Sequence, residues 1–329
     1  MEAQARSTTR HHGAQKRLAQ CFAIASDDLQ AWIHPLGAEL CALQSSSGHA
    51  LLWSGDARWW DRCAPILFPI IGRARDGRVQ HQGRSYPMPP HGFAMHQPFE
   101  LVQSDEQACV WRLAACAATR QQYPFDFALQ LHYRVTGRQL ALTVQVENTG
   151  NQELPFALGL HPGLRWPIRA PTRDGHSLSL EADEPGPVRR RAPSGLLGPL
   201  ATPLPLVGRQ LPLNDALFDA GVHVLEHATS RRVVYADTIG PLVTLSWSGL
   251  PHLALWSLPG APFVCMEPWG ALPELDDQPY GPSGGLRITR LAPRDLWSAE
   301  MALEVDPSLC AERAAQAPCG QSSGSMAAS

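Results

Sequence analysis

No apolar stretch in this chain approaches the roughly 18 residues that a membrane helix requires, and the first twenty residues, with Arg6, Arg10, Lys16 and Arg17, contain no hydrophobic signal core. Membrane insertion is therefore not expected, and a cytoplasmic protein is. Charge is scarce too: 17% of residues are charged, against about 25% in an average soluble domain. The net charge of -3, the isoelectric point near 6.5 and the short, scattered arginine runs make no field that would gather phosphate backbones, so no nucleic-acid partner is expected. The eight cysteines (Cys21, Cys41, Cys63, Cys109, Cys116, Cys265, Cys310 and Cys319) form no CxxC pair, which favours reduced thiols over a disulfide framework. A glycine-rich phosphate loop and an HExxH pair are missing as well.

What is present is core material, with 44% hydrophobic residues in 329, and it alternates. In FDFALQLHYRV, Phe125, Phe127, Leu129, Leu131, Tyr133 and Val135 alternate with polar side chains, and Leu140, Leu142, Val144 and Val146 do so in LALTVQVEN. The TGRQ link between them predicts an antiparallel hairpin. Similar runs recur at AWIHPLGAELCAL, FELVQ, ACVWRLAA, RRVVYAD, LVTLSWSG, HLALWSL, GLRITRL and WSAEMALEV, while no helical apolar stripe of useful length exists. The spacing predicts an all-β, antiparallel sandwich in a single domain over residues 21–305. The basic head 1–20 and the small, polar tail 306–329 are expected to stay unstructured, because neither can bury enough apolar surface to offset ordering entropy. Thirty prolines are nearly twice the usual share of about 5% and are expected between strands, where a missing N–H does no harm. Residues 181–218 read as a long irregular loop, with Arg189 to Arg191 as a solvated face.

Four segments each place one ionisable group at the end of a strongly apolar run. APILFPIIGR ends in Arg73, PMPPHGF carries His91, LGLHPGLRWP carries His161, and FVCMEPWG carries Glu267. An imidazole or carboxylate at the rim of an apolar sheet loses solvation, its pKa moves, and it becomes usable for proton transfer. A glutamate near about 4.3 is a ready base at neutral pH and a histidine near about 6.5 can give a proton there, so the two facing one substrate form an acid/base couple. Taken singly, each residue reads more simply as structure: a histidine before proline as a turn residue, a glutamate before Pro-Trp as a loop tether. His91 and His96 lack a carboxylate or cysteine pattern, so no metal site is expected. GPSGG, Gly281 to Gly285, is no nucleophile elbow, because its serine follows a proline in a loop.

The order HPLGAEL, LLWSGDARWW, APILFPIIGR, HGF, LGLHP, CMEPWG resembles the aldose 1-epimerase (galactose mutarotase) family, from about Ile33 to about Val305. The resemblance implies a galactose-mutarotase-like supersandwich of antiparallel sheets with a sugar in an open cleft. By motif match it puts Glu267 in the general-base place, His161 in the general-acid place, and His91 and Arg73 among the sugar-binding residues. Asp215, in LNDALF, matches a sugar-binding aspartate, and Trp269 either faces the pyranose or packs the sheet. The implied activity is interconversion of the α and β anomers of a free hexose, by a monomer or homodimer without cofactor. The chain departs from the family wording at Met95, in HGFAM, and at Gly163, after HP, which leaves open a sugar-binding sandwich without turnover. A phosphorylated hexose held by Arg75, Arg78 and Arg165 is the other alternative.

Overall fold

A computed structural model describes residues 18–277 and 288–311. Most of the proposed head and tail, and the whole of GPSGG, lie outside the described residues. The packed domain runs past Val305, however: the turn Pro307–Leu309 follows the last strand, its Leu309 side chain is buried, and its carbonyl accepts a bond from Ser47 Oγ. The packed structure thus extends beyond the expected boundary at 305 to at least Leu309, which has apolar surface to bury.

Among the described residues, two large antiparallel sheets carry the fold. A nine-stranded sheet runs from Gln210–Pro212 at one edge to Glu100–Ser104 at the other, with the long strands Leu296–Val305, Gln139–Asn148 and Phe127–Thr136 among its inner members. An eight-stranded sheet runs from Leu197–Pro203 through Pro187–Arg191, His223–Leu225, His252–Trp256, Phe263–Trp269 and Gly159–Leu160 to Ile66–Leu67, and its eighth strand, Gly163–Arg165, also pairs with Phe263–Trp269. The predicted hairpin is there: Thr136 pairs with Gln139 across the two-residue turn Gly137-Arg138. Its register puts Leu140, Leu142, Val144 and Val146 on one buried face. Those residues share one core with Leu253, Leu255, Val264 and Met266 from the other sheet, so the two sheets stack face to face. Truncating any one of these fully buried aliphatics to alanine typically costs about 2–5 kcal/mol.

Residues 181–218 are not an irregular loop. They contain the strands Pro187–Arg191, Leu197–Pro203 and Gln210–Pro212 and the turn Asp215–Phe218. Alternation is weak there because Leu197–Pro203 and Gln210–Pro212 are edge strands, where prolines are tolerated, and the inner Pro187–Arg191 pairs with Leu197–Pro203 through register shifts. Nor is the arginine run wholly solvated. Arg189 is buried, bonded through Nε to Glu226 Oε1 at 2.5 Å and through Nη1 to the Gly198 carbonyl at 2.9 Å.

Alternation along Phe263–Trp269 positions the site. Val264 and Met266 face the shared core, whereas Phe263, Cys265, Glu267 and Trp269 face the opposite side of the sheet. A strand buried on both faces is what let the apolar run FVCM deliver a carboxylate to a sheltered surface.

Candidate active site

The stretch Gly159 to Arg165 runs antiparallel to Phe263–Trp269, with Gly159 opposite Trp269 and Gly163 opposite Cys265. Between them His161 stands across from Glu267, a cross-strand neighbour 106 positions away in sequence. The ladder is interrupted at this point because Pro268 and Pro162 lack an N–H, so the stretch splits into the short strands Gly159–Leu160 and Gly163–Arg165. Gly159–Leu160 lies between Ile66–Leu67 and Phe263–Trp269 and so is an inner strand, not the edge that the proline turn suggests. His161 Nε2 comes within 3.2 Å of Glu267 Oε2. The two are not aligned as a hydrogen bond, and His161 Nδ1 and Glu267 Oε2 are buried polar atoms without a partner among the described residues.

Gly159, His161 and Gly163 share one face, and the glycines make room for two indoles. A Cβ on Gly159 would sit 2.8 Å from Trp269 Cδ1, and one on Gly163 would sit 2.9 Å from Trp60 Cζ3. Gly163, a departure from the family wording, is thus the space that Trp60 occupies. Trp60 stacks on His161, with centroids 4.7 Å apart and planes 30° from parallel, and Trp256 meets His161 edge-on at 5.6 Å. Met95 is buried in an apolar cluster, and its carbonyl accepts a bond from Arg62 at 3.3 Å.

Arg73 and His91 arrive together. The His91 N–H donates to the Gly72 carbonyl at 2.6 Å, and the Gly72 N–H donates to His91 Nδ1 at 3.2 Å. Burial, with Arg73 and Arg191 nearby, pulls the His91 pKa down to about 4. The ring is therefore neutral at neutral pH, and with Nδ1 accepting, Nε2 carries the proton and is the free donor. His91 adopts φ 63°, a left-handed conformation that costs a non-glycine residue roughly 1–3 kcal/mol and concentrates at functional sites.

Arg73, His91, His161, Glu267 and Trp269 line one cleft of about 360 Å³ with Trp60, Trp256 and Arg191. Trp269 both packs the sheet and lines the cleft. Asp215 is not among its lining residues: on a separate turn it accepts from the Gly260 N–H at 2.9 Å and pairs with Arg173 at 2.7 Å, and those two contacts lower its pKa. It ties two turns together, a role that its motif does not distinguish from sugar binding. Arg75 is held by Glu274 at 3.0 Å and Arg78 by Ser85 Oγ at 2.6 Å; neither lines the cleft, and nor does Arg165. Reading single charges at the ends of apolar runs passed over Trp60, Trp256 and Arg191, although two tryptophans close the quoted motif LLWSGDARWW.

Burial shifts the two central groups in opposite directions, away from the ordinary values assumed from sequence. It pushes the Glu267 carboxyl well up, opposed by the Trp269 indole N–H, and pulls the His161 imidazole well down, helped by His91. Cys265 joins them: ligand-type atoms of His161, Cys265 and Glu267 lie within 4.8 Å of one another. A cation there would need the thiolate and carboxylate forms, whereas burial pushes the Cys265 thiol up as well and so favours the protonated, non-ligating forms.

The cleft, with its facing carboxyl and imidazole and its indole wall, lies on one face of an antiparallel β-sandwich of the galactose-mutarotase-like class. The sequence profile described as aldose 1-epimerase matches residues 20–216, and the chain belongs to that family. Among curated proteins it is similar to the plasmid-encoded protein LacX of Lactococcus lactis subsp. lactis, 26% identical over 290 residues, covering 83% of this chain and 95% of that one. Among solved structures it is similar to a galactose mutarotase-like protein from Lactobacillus casei, with TM-score 0.78 and 28% identity, covering 87% of this chain and 100% of the other. A galactose mutarotase related enzyme from Lactobacillus acidophilus has the same fold, with TM-score 0.78, 22% identity and coverage of 87% and 97%.

Proposed function

We propose that the cleft interconverts the α and β anomers of a hexose by acid/base opening and closure of the ring, with Glu267 and His161 as the proton carriers. The observation that carries this reading is their 3.2 Å separation on the cleft floor. Ring opening requires one group to take the proton of the O1 hydroxyl while another protonates the ring oxygen. Both oxygens are bonded to C1, so the two groups must stand side by side.

Burial favours the neutral form of each group, which rests the shared proton on Glu267, and the catalytic form draws it to His161. With that proton on His161, Glu267 is the base at O1 and His161 the acid at the ring oxygen. Breaking the bond from C1 to the ring oxygen gives the open-chain aldehyde, and rotation about C1–C2 presents its other face. Closure then uses the same pair in exchanged roles, so no net proton is consumed. Each positioned acid or base typically contributes about 10² to 10⁴ in rate. The neutral His91 Nε2–H and the Arg73 guanidinium donate to sugar oxygens, and Trp60, Trp256 and Trp269 offer apolar faces to pyranose C–H groups. The cleft volume falls within the roughly 300–1,000 Å³ of small-ligand sites.

Polarimetry of freshly dissolved α-hexose tests the proposal. The protein should speed equilibration, and Glu267→Gln and His161→Asn should each abolish most of that acceleration. Sugar binding by calorimetry without anomer exchange would instead mark a binding protein.

A further inference from the structure

We propose that Arg73 and Arg191 form an anion clamp at the mouth of the cleft, so that the hexose turned over carries a negatively charged substituent, a phosphate or a carboxylate, remote from C1. This deepens the anomerase reading and rests on it. Arg191 ends the strand Pro187–Arg191, and the following hairpin folds Gly195 between the two arginines. A point at the Cβ position of Gly195 is 3.2 Å from Arg73 Cδ, 3.7 Å from Arg73 Nε and 3.4 Å from Arg191 Nη2. Two side chains of like charge thus converge on the cleft from different elements.

Neither guanidinium group has a hydrogen bond or ion pair to a described residue. Of the nearby carboxylates, Glu274 is engaged by Arg75 at 3.0 Å and Asp276 by Ser194 Oγ at 2.7 Å, while Asp76 lines an adjoining hollow and pairs with neither arginine. With His91 neutral and the floor pair holding one shared proton, these guanidinium groups are the net charge of the cleft lining. Such convergence without a counter-ion is unfavourable until an anion arrives, and a guanidinium fork fits phosphate or carboxylate oxygens in bidentate fashion. There is also room for a substituent: Arg73, Pro90 and Leu196 are shared with an adjoining hollow of about 490 Å³ that neither Glu267 nor His161 lines. Of the arginines that the sequence suggested for this task, Arg75 lines that hollow but is paired with Glu274, and Arg78 and Arg165 line neither space.

The test uses the full chain with glucose, glucose 6-phosphate and glucuronate. Anomerisation should show kcat/KM for at least one anionic sugar more than tenfold above glucose, and the larger ratio identifies the group. Arg191→Gln should lower that ratio by about tenfold to about a hundredfold, the worth of one charge-assisted contact, chiefly through KM. Arg191→Lys should restore part of it, and added salt should weaken it. Calorimetry on Glu267→Gln separates this inference from the anomerase reading, because tighter binding of an anionic sugar than of glucose needs no turnover. Equal binding of all three sugars, no binding of any, or an Arg191→Gln effect equal on charged and neutral sugars would overturn the clamp. Loss of anomer exchange with the binding preference intact would overturn only the anomerase reading.

Discussion

Gly163→Ala puts a methyl group where the structure has none to spare. The added Cβ would lie 2.9 Å from Trp60 Cζ3, with the Cys63 carbonyl oxygen at 3.2 Å and Cys265 Sγ at 3.4 Å closing the other directions. Trp60 must therefore retreat by several tenths of an ångström, away from the imidazole on which it stacks. Overpacking of this kind costs about 1–3 kcal/mol, and the reduced entropy of the unfolded chain returns about 0.4–1 kcal/mol, which leaves a net loss of roughly 0.5–2 kcal/mol. At about 2–4 °C per kcal/mol for a domain of this order of size, Tm should fall by roughly 1–8 °C. Activity should fall about threefold to tenfold, short of the about hundredfold that a 1 Å misplacement can cause, because His161 itself is not replaced. The decisive comparison is the same substitution in a Trp60→Ala background, where the ring is gone and the added methyl should cost little or stabilise. Denaturant unfolding of the four proteins gives the coupling, expected at about 1 kcal/mol or more. An equal cost in both backgrounds would refute the claim that Gly163 exists to seat Trp60 against His161.

Glu267→Gln should abolish turnover and yet stabilise the protein at neutral pH. The folded pKa of Glu267 is raised by burial, so its contribution to stability is fully present below the ordinary carboxylate value and is lost as pH rises through the folded value, at up to about 1.4 kcal/mol per pH unit. The Tm gap between variant and parent should accordingly widen upward from about pH 4.5, and a gap that narrows would contradict the assignment. His161 has the opposite sign: its lowered pKa means stability is complete above about 6.5 and is lost as pH falls towards the folded value. The acid limb of kcat should therefore lie below the usual imidazole range, and Trp60→Ala, by admitting water, should move it upward. Asp215→Asn should leave anomerisation within about twofold and shift stability by no more than roughly 1 kcal/mol, because its ion pair with Arg173 is exposed to solvent on the Asp215 side.

Much of this molecule could be read in one dimension. Alternation of Leu140, Leu142, Val144 and Val146 against polar neighbours dictates a half-buried strand wherever it occurs, and a short polar link dictates its hairpin, because both are properties of local backbone geometry. The strands between 181 and 218 were illegible for another reason: their prolines imitate loop punctuation, register shifts break their alternation, and only pairing discloses them. Glu267, His161, His91 and Arg73 stood out as charges ending apolar runs, and the ordered motifs named their roles. Asp215 was the weaker motif match, and it sits on a separate turn outside the cleft lining. The register that sets His161 opposite Glu267, the burial that drives their pKa values apart, the tryptophans seated beside Gly159 and Gly163, and the meeting of Arg191 with Arg73 belong to tertiary structure alone. They arise from contacts between segments about one hundred residues apart, whose closeness is decided by how two sheets stack rather than by any interval along the chain.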